Sequence, residues 1–167
     1  MAETDFYLKI QDVEGESVVT GFEQTCQIDS WSFGATNSGS FGTGTGGGSG
    51  KASMQDFHFT IRNGKATPQL FLHLSKGTHI GEATLTCRET GGDGKPYTYL
   101  EVIFNNCVIS SFQTGASSGS NIKPIEQISF NFAKITIKQY EQDMVSGIPS
   151  LAKTAIHDST KVESQNG

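Results

Sequence analysis

Histidine, cysteine and serine are the side chains that most often do chemistry, and their spacing here indicates neither a catalytic nor a metal site. Four histidines are spread over a strand, a helix, a loop and the C-terminal segment, at His58, His73, His79 and His157. None has a second histidine or a cysteine at ligand spacing. Serine is abundant, yet no G-x-S-x-G nucleophile elbow occurs. We predict that the chain is not an enzyme and binds no metal.

A glycine-rich stretch contains two patterns that resemble phosphate-binding loops. Gly42 to Gly47 satisfies G-x-G-x-x-G, but a dinucleotide site needs a helix after it, and here a strand follows. The P-loop pattern near Lys51 fails, because Thr45 replaces its first glycine and Ala52 replaces the magnesium-binding Ser or Thr. The sequence therefore predicts no bound cofactor.

Three further residues invite a functional interpretation. Trp31, in Ser30-Trp31-Ser32, fits a ligand-stacking aromatic, but aromatic residues more often occupy a core or an interface. Glu101 and Glu126 lie in strand-like segments beside apolar residues, and nothing in the sequence pairs either with a second carboxylate. We expect Trp31 in the core or at an interface, and no acid–base pair.

Composition narrows the class of partner. The 167 residues are enough for one domain with one core. The formal net charge of -5 argues against nucleic acid and against an anionic membrane, because both require a basic face. No apolar run reaches the ~20 residues of a membrane span, and the N-terminus lacks the features of a secretory signal. Three cysteines fit no zinc spacing and predict reduced core thiols in a protein folded in the cytosol, namely Cys26, Cys87 and Cys107.

Alternation of apolar and polar residues predicts a mostly antiparallel β-barrel or closed sandwich. Strand-like segments run over 6–11, 25–33, 55–61, 83–88, 97–112 and 125–140. The phase slips within 25–33 and within the last segment, which indicates bulges. Even positions over 97–112 predict one inward row that includes Val108 and Phe112.

One helix interrupts the strands. Thr67 is predicted as its N-cap and Gly77 as its end, with Leu70, Phe71 and Leu74 on one apolar stripe. This spacing predicts a helix of two to three turns on the outside of the barrel. Gly91 to Gly94 has the composition of a hairpin turn.

The segment Gly34 to Gly50 is a long loop with almost no apolar content, apart from Ala35 and Phe41. Long loops in compact domains are usually functional or disordered. Because it cannot offset its ordering entropy by packing on its own domain, we expect it to lie against another copy of the protein or a partner.

The ordered set of motifs resembles the haemolysin-coregulated protein (Hcp) family, the inner-tube subunits of bacterial type VI secretion. Matching stretches are FYLKI at 6–10, GES at 15–17, IDSWSFG at 28–34, MQDFHFT at 54–60, ATPQL at 66–70, GTHI at 77–80, EATLTCR at 82–88, YLEV at 99–102 and SFNFAKI at 129–135. Each motif is weak alone, but together they are collinear from residue 6 to about 140.

The resemblance implies a tail-tube-like β-barrel of two sheets with one lateral helix, assembled into homo-hexameric rings that stack into a hollow tube. A spike protein tips the tube, and a contractile sheath surrounds and fires it. Small effector proteins ride in the lumen, and the subunit leaves the cytosol without a signal peptide and is injected or secreted. We expect ring stacking and subunit contacts to involve Trp31, Gly39, Ser40, Phe41, Gly42, Thr43, Gly44, Thr45, Lys51, Leu72 and His73.

Residues 1–141 are therefore predicted to form the barrel domain and residues 142–167 a C-terminal extension. This extension is expected either to be a flexible terminus or to dock on the next subunit through Ile148, Leu151 and Ile156. An alternative from another class is a secreted β-sandwich that binds carbohydrate or another small ligand through Trp31 and the loops.

Overall fold

A computed structural model describes residues 3–39, 51–119, 121–143 and 146–161. This part of the chain forms β1 (Thr4–Ile10), β2 (Cys26–Ile28), β3 (Ser30–Ser32), β4 (Ala35–Asn37), β5 (Ala52–Met54), β6 (Phe57–Arg62), α1 (Ala66–Lys76), β7 (Ile80–Thr90), β8 (Pro96–Gly115), β9 (Ile125–Gln142) and β10 (Pro149–Asp158). All strand pairs among these elements are antiparallel, so the predicted fold class is confirmed. No helix within the described ranges is long and apolar enough to cross a bilayer.

One large sheet closes almost into a barrel. Its order is β2-β1-β7-β8-β9-β6-β3, with β10 pairing beside this path on β9. Strands β2 and β3 lie at opposite ends of that order, although only Asp29 separates them in sequence. The Asp29 N–H donates to the Thr60 carbonyl of β6 at 2.9 Å. The chain thus crosses the barrel seam at Asp29, and the single bulged strand predicted over 25–33 is wrong.

Strand β8 bends twice, and each bend exchanges its faces. Asn106 has a φ of 56°, and after it Cys107 and Ile109 point into the core. The predicted inward position of Val108 is therefore wrong. A register shift against β9 lies between Ile109 and Ser111, where Ser110 is an extra residue that swaps the faces. At Asn106 the faces exchange without a register shift against β7 or β9. The two exchanges let one long strand serve both sides of the barrel.

The core is rich in phenylalanine. Phe57, Phe59, Phe104 and Phe130 are at most 2% exposed. The Phe57 ring lies 4.7 Å from that of Phe104 and 5.0 Å from that of Phe130. Burial of such large apolar side chains is the main stabilising contribution to the fold.

Helix α1 begins one residue before the predicted N-cap. Lys65 occupies the cap position, and its side chain makes no capping hydrogen bond to the helix. Thr67 instead lies in the first turn, where its hydroxyl accepts the Gly64 N–H at 3.0 Å and donates to Glu126 Oε1 at 2.7 Å. Asn63 Nδ2 donates to the same oxygen at 3.0 Å. Glu126 is fully buried, so this carboxylate ties the start of the helix to the start of β9.

The end of α1 is as predicted, since Gly77 adopts a left-handed conformation with a φ of 60°. Its apolar stripe is only partly buried. Leu70 is fully buried, whereas Phe71 is 53% exposed and contacts the Phe112 ring at 5.6 Å. The helix therefore packs on the outside of β8 through a narrow stripe.

Residues 149–158 of the predicted extension form β10, which pairs with residues 134–142 of β9. Strand β9 is thus not the last strand, and this part of the extension is not a flexible terminus. The apolar side chains of Ile148, Leu151 and Ile156 are 54–66% exposed. Leu151 and Ile156 lie on β10 and Ile148 immediately precedes it, and none of the three is part of the core.

Candidate functional site

The start of the predicted glycine-rich loop pairs with residues that follow the loop, and we call this two-stranded element the β4–β5 ribbon (35–37 and 52–54). Ala35 pairs with Met54 and Asn37 with Ala52. The Gln55 N–H donates to the Gly34 carbonyl at 2.8 Å and closes its base. The two-stranded ribbon belongs to a separate sheet from the barrel. Residues 35–37 of the predicted loop therefore form a strand.

Most of the predicted stacking residues fall inside the loop. Ser40, Phe41, Gly42, Thr43, Gly44 and Thr45 lie outside the described residues. Gly39 is exposed, and its N–H is accepted by Asn37 Oδ1 at 2.9 Å, which starts a turn at the end of β4. Lys51 is exposed immediately before β5. The structure thus places Gly39 and Lys51 at the distal ends of the ribbon.

Trp31 is partly buried against other aromatic rings. Its ring is stacked near Phe33 at 6.2 Å and Phe57 at 6.3 Å, and it meets the Phe6 ring edge-on at 6.2 Å. Through these contacts, much of the indole packs against the barrel core. The arrangement favours a core tryptophan over an exposed ring that stacks on a ligand.

Leu72 and His73 lie on α1. Leu72 is 47% exposed and faces away from the core. His73 is half-buried, and its Nδ1 is 2.7 Å from the Gln69 carbonyl within the helix. Leu72, together with Phe71, gives the helix an apolar outer side.

A polar surface without Asp, Glu, Lys or Arg covers the middle of strands β3, β6, β9 and β8, and we call it the hydroxyl face. Its cross-strand pairs are Ser30 with Thr60, Ser32 with His58, His58 with Ser129, Thr60 with Gln127, Ser111 with Ser129 and Gln113 with Gln127. A shallow groove of about 440 Å³ runs over it. Sequence reasoning missed this surface, although its residues alternate with core residues along each strand.

The outward side of the remaining barrel strands is different, because it carries charges of both signs. They include Lys9 on β1, Glu82 on β7, and Glu101 on β8 with Lys138 on β9. Lys138 Nζ lies 3.6 Å from Glu101 Oε1. The barrel therefore has one side with charges of both signs and one side whose middle is rich in hydroxyls and uncharged, with the Arg62–Asp29 ion pair at the end of β6.

The thiols are buried and poorly reactive. Burial raises the pKa of Cys26 to about 12, that of Cys87 to about 11 and that of Cys107 to about 12. The neutral thiol is a weak nucleophile and a weak ligand. Among the described residues, no group of three or more His, Cys, Asp or Glu side chains is placed to hold a metal.

Comparison with known proteins agrees with this architecture. The family described as "Type VI secretion system effector, Hcp" matches residues 7–139. The protein hcp1 of Pseudomonas aeruginosa is 36% identical over 138 residues, which are 83% of this chain and 84% of that protein.

Two solved structures share the fold. A type six secretion system protein superimposes with a TM-score of 0.82 at 25% identity, covering 93% of this chain and 96% of that one. A type VI secretion system effector from Yersinia pestis gives a TM-score of 0.73 at 25% identity, covering 92% and 99%. The chain belongs to the Hcp family, the tube proteins of type VI secretion. The resemblance inferred from its motifs is confirmed, and the carbohydrate-binding alternative is not favoured.

Proposed function

We propose that this chain forms hexameric rings that stack head to tail into the inner tube of a type VI secretion system. Membership of the Hcp family carries the proposal. A cyclic ring uses one heterologous interface repeated around its axis, and its two end faces stay free to join further rings. A subunit of this kind needs a closed barrel and an element that reaches beyond it. The β4–β5 ribbon fits the second requirement.

The glycine-rich segment is the proposed stacking element, with Phe41 as its apolar anchor. Deleting Ser40 to Ser49 removes the distal segment and keeps the paired residues of the ribbon. We expect that variant to give folded rings that no longer polymerise, which light scattering and negative-stain images of the same fraction would detect.

A matched control shortens a second loop of similar composition. Deleting Ser117 to Gly119 from the loop between β8 and β9 removes small and glycine residues without touching the ribbon. We expect this control to form tubes. Normal tubes from the Ser40 to Ser49 deletion would refute the role of the segment in stacking.

The hydroxyl face is proposed to line the channel. A conduit for varied cargo is best served by a wall that is neither apolar nor strongly charged, because such a wall binds passing proteins weakly. The charged side, which includes Lys9, then faces outward toward the sheath. The proposed partners of the tube are small effector proteins in the lumen, a spike protein at the tip and a contractile sheath around it. Contraction of the sheath carries the subunit out of the cell.

Thiol labelling separates the two faces. The three native thiols are buried, so a cysteine introduced as Gln113→Cys or Lys9→Cys is the accessible one in each variant. In assembled tubes, a maleimide on a large polyethylene glycol should react much faster at position 9 than at position 113. Equal rates would refute the assignment of the hydroxyl face to the lumen.

A further inference from the structure

The β4–β5 ribbon continues from the paired strands β3 and β6 through two residues on each side, Phe33 with Gly34 and Gln55 with Asp56. Before β4, Phe33 stacks on Trp31 at 6.2 Å and meets the Phe104 ring edge-on at 6.4 Å. After β5, Asp56 precedes β6. One strand of the ribbon is thus held by an apolar contact, and the other depends on a carboxylate.

The Asp56 carboxylate is bound by a remote part of the chain. Its Oδ2 accepts the Ser110 hydroxyl at 2.6 Å, across 54 positions of sequence. Ser110 Oγ is also 2.8 Å from Ser129 Oγ, which in turn is 2.5 Å from Ser111 Oγ. Ser129 is only 2% exposed, so the chain of hydroxyls is anchored in the barrel wall.

The serine that donates to Asp56 lies at a special point of the barrel. Ser110 sits at the register shift of β8 between Ile109 and Ser111, where the strand bends. Bulges of this kind re-aim side chains, and here the bulge directs a hydroxyl at the base of the ribbon. A hydrogen bond to a carboxylate is stronger than one between neutral groups.

A two-stranded ribbon is marginally stable by itself and takes its direction from its attachments. This ribbon is connected to β3 and β6, and the Asp56–Ser110 hydrogen bond adds a contact with β8 that restricts its direction. We propose that Asp56 is a positioning residue that pre-orients the ribbon for docking on the next ring. This inference rests on the proposed function, since it assumes that the ribbon mediates stacking. Pre-orientation lowers the entropic cost of association.

The test compares three substitutions of similar size. Asp56→Ala removes the acceptor, while Asp56→Asn keeps an oxygen for the Ser110 hydroxyl. Asp93→Ala is the matched control, because Asp93 also accepts a turn hydrogen bond, from the Lys95 N–H at 3.0 Å, but in the hairpin between β7 and β8. Ser110→Ala removes the donor instead and serves as the second variant if Asp56→Ala folds poorly.

The first readout is the motion of the ribbon itself. A spin label on Ser53→Cys reports from the exposed side of β5, and the parent without that cysteine should take up no label because its thiols are buried. We expect an ordered line shape in the parent, in Asp56→Asn and in Asp93→Ala, and a clearly more mobile one in Asp56→Ala and Ser110→Ala. Equal line shapes throughout would overturn the proposal.

The second readout is tube growth from purified rings. Asp56→Ala should need on the order of tenfold more protein than the parent to form tubes, whereas Asp56→Asn should need about the same amount. Ring mass should not change. Unaltered growth of Asp56→Ala would overturn the proposal. A parent that forms neither rings nor tubes would overturn the proposed function instead, and the line shapes would still decide what Asp56 does.

Discussion

The buried Glu126 carboxylate offers a direct test of how the helix is held on the barrel. Its Oε1 accepts from Asn63 Nδ2 at 3.0 Å and from the Thr67 hydroxyl at 2.7 Å. Hydrogen bonds to a charged group contribute about 1.5–3 kcal/mol each, so Glu126→Ala forfeits roughly 3–6 kcal/mol. The substitution also removes a charge whose burial carries a desolvation cost, and this gain offsets part of the lost hydrogen-bond energy. We expect a net destabilisation of about 2–4 kcal/mol.

Glu126→Gln keeps the acceptor oxygen but loses the charge, so a smaller effect of about 1–2 kcal/mol is expected. Glu101→Ala is the matched control, since the Glu101–Lys138 ion pair is partly exposed and such pairs contribute at most about 1 kcal/mol.

The Tm of the parent and of the three variants is measured by thermal unfolding. One protein concentration is used throughout, because subunit association also stabilises the folded state. For a chain of this size, Glu126→Ala should lower the Tm by about 4–16 °C. A Tm for Glu126→Ala no lower than that for Glu101→Ala would refute the anchoring role of the carboxylate.

Two further predictions concern the buried thiols and a close backbone contact at Gly15. Burial raises the pKa of the three thiols to about 11–12, so the folded state holds their protons more tightly than the unfolded state does. The protonated thiols therefore contribute their full stability below the unfolded pKa of about 8.5, and this contribution is lost as the pH rises toward 11–12. The urea midpoint should therefore fall from pH 8 to pH 10, and a constant midpoint would contradict this. Gly15→Ala should destabilise by about 1–3 kcal/mol, because its Cβ would lie 2.2 Å from the Thr25 carbonyl oxygen. Gly92→Ala, with no atom within 4 Å, should change stability by less than about 0.5 kcal/mol in the same urea titration, and equal losses would disprove the crowding.

Local sequence patterns were sufficient to predict most strands and the helix, but not which strands pair with each other. The alternation around Phe57 and Phe59 predicts β6, because a strand places successive side chains on opposite faces. The crossing at Asp29 and the bulge at Ser110 could not be predicted in the same way. Both depend on pairing with strands that are remote in sequence. In the alternation of apolar and polar residues, a bulge appears only as a shift by one residue.

Strand β10 shows a second limit. Its partly buried positions are Ala152, His157 and Asp158, while Ile156 is 63% exposed. The apolar residues therefore do not mark its buried side, and periodicity over 149–158 predicts no strand. Pairing with β9 supplies the backbone hydrogen bonds that define this segment.

The candidate site was predictable only in part. Glycine content identified the segment at 34–50 as a surface element, because its composition cannot form a core. The Asp56–Ser110 hydrogen bond and the hydroxyl face carry no comparable signal, because a polar residue on a strand has the same local pattern whether it meets bulk water, a channel or a remote carboxylate.

The mass of the purified protein in solution, with negative-stain images of the same fraction, tests the central claim most directly. The proposed function predicts particles of about six times the subunit mass of 17.9 kDa, with six-fold symmetry and a central hole. A monomer of 17.9 kDa at every concentration tested, without ring-shaped particles, would contradict it.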